Sequence, residues 1–61
     1  MFDNLGIGTK VLILHEDNYG DKMETKGRVV SNRNDLVTIR NKEGTLLSFY
    51  DWEVEEVSKT K

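Results

Sequence analysis

Apolar residues fall in five short runs along this chain, at 11–14, 29–30, 36–39, 46–50 and 52–57, with polar, turn-forming segments between them. Several short apolar stretches at close spacing predict a small all-β fold, a barrel or sandwich, and not a helical bundle or α/β unit.

The strand signal is strongest at Thr9-Lys10-Val11-Leu12-Ile13-Leu14-His15, which is β-branched and apolar and follows Gly6 and Gly8. Four consecutive apolar residues predict partial cover on both faces, with Leu5 and Ile7 as the expected cover. The polar stretch 16–26 contains Asn18, Gly20 and Asp21 and reads as a long loop, folded as an irregular hairpin with Tyr19 near its tip. Gly27-Arg28-Val29-Val30-Ser31 is a second strand whose leading glycine marks a bulge or kink. A turn is expected at 32–35.

Leu36-Val37-Thr38-Ile39-Arg40 alternates so that Val37 and Ile39 share one face. Asn41-Lys42-Glu43-Gly44 then closes a tight hairpin, with Gly44 free to take positive φ. The chain returns through 45–50 with Leu47 and Phe49 inward, makes a single turn at Asp51-Trp52-Glu53 and ends in a short strand at 54–57. Residues 58–61 are polar and expected to fray. A rival for the last segment is a helix N-capped by Asp51, with glutamates early and Lys59 and Lys61 late. Two valines and a length of about ten residues favour the strand.

With 61 residues the chain is expected to form one domain, 1–61, in which 1–8 is a leader. A domain this small buries only about 60% of its unfolded surface, which allows a core of roughly ten to fourteen side chains. No cysteine is present, so neither disulfides nor thiolate zinc sites staple the fold, and a reducing, cytoplasmic setting is expected. The first residues lack a basic n-region and an apolar h-region, and no apolar run approaches the roughly 18 residues of a membrane span.

The order of strand, long loop, strand, short turn, strand, tight hairpin, strand, single turn and strand resembles the SH3-like barrel. The segments GTKVLIL, GRVV, DLVTIRNKEGTLLSFY and WEVEEV carry that resemblance over most of the chain. By this likeness 16–26 corresponds to the RT loop, 32–35 to the n-Src loop and 41–44 to the distal hairpin. The resemblance implies a five-stranded, partly open antiparallel barrel with one short helical turn before the last strand. KOW and Tudor modules, a small photosystem I subunit and small phage proteins are similar at this level. The Ala-Leu-Tyr-Asp-Tyr run and the prolines of eukaryotic peptide-binding SH3 domains are absent, so the likeness implies architecture and not recognition of proline-rich ligands.

Candidate chemistry is sparse. His15 is the single histidine and, ending a strand, is expected at the surface; Ser31, Ser48 and Ser58 lie scattered, with no base beside them. Gly6-Ile7-Gly8-Thr9-Lys10 precedes a strand and offers a phosphate no helix N-terminus. Asp17, Tyr19 and Asp21 alternate as in a calcium loop, but Lys22 stands where that loop needs glycine. No enzyme activity, cofactor or metal is expected.

Two constellations remain. Tyr19, Tyr50 and Trp52 would share one side of an SH3-like barrel and anchor a protein partner; otherwise Trp52 plugs the barrel end and Tyr50 lies over the sheet edge. Lys10, Arg28, Arg40 and Lys42 on strands and hairpin, with Arg33 on a turn, would form a basic patch for a nucleic-acid backbone. Acidic residues gather instead in 16–24 and 51–56, and the net charge of −2 does not favour nucleic acid. The leading expectation is a non-enzymatic protein-interaction module, a small bacterial or phage accessory protein docking on a larger assembly. The alternative is a KOW- or Tudor-like nucleic-acid contact. Self-association through a strand edge is a third route, since no proline guards any edge.

Overall fold

The computed structural model describes Phe2 and residues 5–60. Five strands form one antiparallel sheet: β1 (Lys10–Glu16), β2 (Lys22–Arg33), β3 (Leu36–Arg40), β4 (Leu46–Tyr50) and β5 (Val54–Lys59), with a single 3-10 turn, Asp51–Glu53, before β5. Their spatial order is β4-β3-β2-β1-β5. This is the partly open antiparallel barrel that the resemblance implies, with a strand and not a helix at the end. No helix among the described residues is long and apolar enough to cross a membrane.

The three-residue turn dictates the curvature. It links β4 to β5, the two outermost strands of the sheet. In a flat five-stranded sheet those edges would stand roughly 19 Å apart, whereas the four peptide steps from Tyr50 to Val54 reach about 14 Å at most. The sheet must therefore coil until its edges approach, although β4 and β5 do not pair. The rings of His15 on β1 and Phe49 on β4, strands that are not sheet neighbours, lie 4.7 Å apart across the inside.

Alternation along each strand fills that interior. Val11 and Ile13 of β1, Val29 of β2 and Val37 and Ile39 of β3 are completely buried, and Phe49 and Val54 close the core from β4 and β5. Leu47 and Val57 pack against it. Phe2 and Leu5 also belong to this core, so the leader is part of the fold. Asn32 holds it there: its Nδ2 donates to the carbonyls of Phe2 at 2.7 Å and Leu5 at 2.9 Å. Ile7, the other expected cover, is 77% exposed.

Several boundaries differ from the expectation. The stretch 16–26 is mostly strand, because 22–26 pairs with β1 from Glu16↔Lys22 to Leu12↔Lys26. The loop is only 17–21, tied by the Asp17 carboxylate, which accepts the amides of Tyr19 and Asp21. Likewise Asn32 and Arg33 pair with Val37 and Leu36, which shrinks the turn to Asn34 and Asp35. Both take positive φ, 52° and 63°, as a two-residue hairpin turn matched to strand twist requires. At the C-terminal end Ser58 and Lys59 are paired with Leu12 and Val11, and Thr60 donates to the Lys10 carbonyl, so the tail is not frayed through residue 60; Lys61 lies outside the described residues.

Gly27 does not mark a bulge; the β2–β3 irregularity falls between Val29 and Ser31. The reason for glycine is close approach. A Cβ at Gly27 would sit 2.6 Å from the Arg40 carbonyl oxygen and 3.1 Å from Ile39 Cδ1.

Candidate functional surfaces

Among the described residues the buried core is wholly apolar. His15, expected at the surface, faces inward with Val11 and Ile13 and is half-buried. Its Nε2 shares a 2.7 Å hydrogen bond with the Thr25 hydroxyl, and its ring packs on Phe49. Both contacts are to neighbours within the fold, one on β2 and one on β4.

The 3-10 turn is the first surface. Glu53 reaches back so that its carboxylate accepts the Tyr50 amide at 2.9 Å, and the Asp51 amide donates to the Asp35 carbonyl at 2.9 Å. These bonds fix the backbone on both sides of Trp52. Tyr50 and Trp52 then stack face to face, with centroids 4.5 Å apart and planes 6° from parallel. Trp52 remains 75% exposed and Tyr50 41%, so the indole does not plug the barrel. The carboxylates of Glu53, Glu55 and Glu56 follow on the same segment, Glu55 within 3.8 Å of Lys22 Nζ.

Tyr19 stands apart from this pair. It is 90% exposed at the β1–β2 tip and has no ring partner among the described residues. β1 ends at Glu16 while β5 begins opposite His15, so the tip and the 3-10 turn leave the sheet at the same end of β1.

The second surface lies at the opposite end of β1. Lys10 pairs with Arg28 and Arg28 with Arg40, which sets three cations side by side across β1, β2 and β3 on the outer face. All three are exposed. With Lys26 and Lys42 they line one open groove of about 670 Å³ to which, among the described residues, no carboxylate contributes. Arg28 Nη1 donates to the Gly8 carbonyl at 3.1 Å, which fixes that guanidinium at the rim. Arg33 is not part of the group; it sits five residues along β2, beside the Asn34–Asp35 turn.

Residues 16–26 lack apolar alternation and read as loop, so the sequence does not place Lys26 with the basic strand residues. Its signal was parity: Lys26 and Arg28 are two apart, and on one strand that places them on one face. Comparison with protein-family models, with curated proteins and with solved structures finds no match to this chain.

Proposed function

We propose that the chain is a non-enzymatic protein-interaction module that docks on a partner protein through the Tyr50–Trp52 pair, as small bacterial and phage accessory barrels of SH3-like form would. The observation that carries this reading is the exposed, parallel stack on a turn held by backbone hydrogen bonds. Large rigid rings that keep their surface in water in the free chain lose little entropy on binding and supply the contact area typical of interface anchors. The glutamates after the turn select a partner segment that carries lysine or arginine beside apolar side chains, since cations bind both carboxylates and indole faces. Tyr19, leaving the same end of the sheet, extends the contact.

The test is capture on immobilised wild-type and Trp52→Ala chains in parallel, followed by titration of the purified partner. A partner held by the wild type should bind the variant at least 30-fold more weakly, about 2 kcal/mol. Equal binding of that partner to a folded Trp52→Ala chain would refute the anchor.

A further inference from the structure

We infer that the groove between β1, β2 and β3 is a second binding site, independent of the aromatic pair, that takes the phosphodiester backbone of duplex nucleic acid without reading its sequence. Five of the chain's nine basic residues, Lys10, Lys26, Arg28, Arg40 and Lys42, converge there although the chain as a whole is acidic. Folding alone would not choose this arrangement. Like charges directly opposite on neighbouring strands oppose pairing, and here they are opposite twice in succession, Lys10↔Arg28 and Arg28↔Arg40. Among the described residues no carboxylate forms an ion pair with any of the five.

The shape of the array selects the ligand. Neighbouring strands stand about 4.8 Å apart, so the row spans about 10 Å, and Lys26 lies one pleat repeat, about 6.7 Å, along the strand from Arg28. A lone phosphate cannot touch all of these cations at once; a polymer with regularly spaced phosphates can. No aromatic ring lines the groove, so it offers no platform for unstacked bases, the usual means of holding single strands. Contact limited to phosphates positions a duplex and carries no sequence information. The glutamates farther along the same face, Glu24 and Glu56 on either side of Leu14, repel the polyanion and confine it to the Lys10 end.

Fluorescence anisotropy with a labelled 20-base-pair DNA duplex tests this. At 20 mM NaCl the wild type should bind two unrelated duplex sequences equally within twofold, and a single strand of the same length more weakly. The plot of log affinity against log salt should have a slope of about −3 to −4, as expected for about four neutralised phosphates. The R28Q/R40Q chain should bind at least tenfold more weakly and lose about 2 from that slope. The K22Q/K59Q chain has the same net charge, with its changes outside the groove, and should match the wild type. K26Q/K42Q, whose side chains make no hydrogen bond among the described residues, carries the same test if loss of the Arg28–Gly8 contact unfolds the first variant. Absence of duplex binding at 20 mM NaCl, equal weakening by the groove and control variants, or a single strand bound as tightly as the duplex would overturn the proposal.

Discussion

Asn32 donates a 2.7 Å hydrogen bond to the carbonyl of Phe2, thirty positions earlier in the chain. A second bond to Leu5 from the same nitrogen makes one amide group the clamp that seats two core side chains. Asn32→Ala should therefore destabilise the fold by about 2 kcal/mol, from two lost hydrogen bonds and a Leu5 carbonyl left without its donor, while the Phe2 carbonyl keeps the Leu5 amide. Urea unfolding measures it, and a loss below about 0.5 kcal/mol would show that Phe2 and Leu5 seat themselves.

Gly27 makes a sharper demand, because the obstacle to a side chain is backbone. The Arg40 carbonyl carbon and oxygen stand 3.1 and 2.6 Å from where a Cβ would be. Gly27→Ala must push β2 from β3 and should cost about 1–3 kcal/mol, even though alanine suits a strand interior no worse than glycine. A neutral or stabilising result would mean that the two strands separate freely at this point.

The basic row has the opposite sign. Replacing Arg40 by Gln removes a like charge facing Arg28, so Arg40→Gln should be more stable than wild type by about 0.2–1 kcal/mol at 10 mM NaCl. The gain should shrink as salt screens the wild-type repulsion. Lys59→Gln, with the same change in net charge, should not reproduce it. Denaturant midpoints across a salt series decide the matter; an Arg40→Gln chain less stable than wild type at low salt would remove the claim that the row opposes folding.

Much of the architecture is legible in the sequence. Val37 and Ile39 on one face, Gly44 with positive φ and the lone turn at Asp51–Glu53 all follow from local pattern, and local pattern is what short strands and tight turns obey. What escaped has non-local causes. Residues 22–26 are strand because β1 offers them partners, not because of their own propensity. Phe2 is core because Asn32 reaches it, and Gly27 is glycine because of Arg40. Among candidate site residues, Lys10, Arg28, Arg40 and Lys42 come together as their strand positions suggested, whereas Arg33 is carried away by the length of β2. The Tyr50–Trp52 stack depends on the hydrogen bonds of the turn, which spacing alone does not reveal.

The side chains that fill the barrel and those exposed to a partner are different residues, and Trp52 puts that separation to the sharpest test. Urea unfolding of Trp52→Ala beside wild type measures it directly. An indole that is 75% exposed and stacked on Tyr50 should cost no more than about 1.5 kcal/mol when removed, the worth of an aromatic pair. A loss of about 3–5 kcal/mol, the cost of deleting a buried tryptophan, would place the ring in the core and contradict its role as a free anchor.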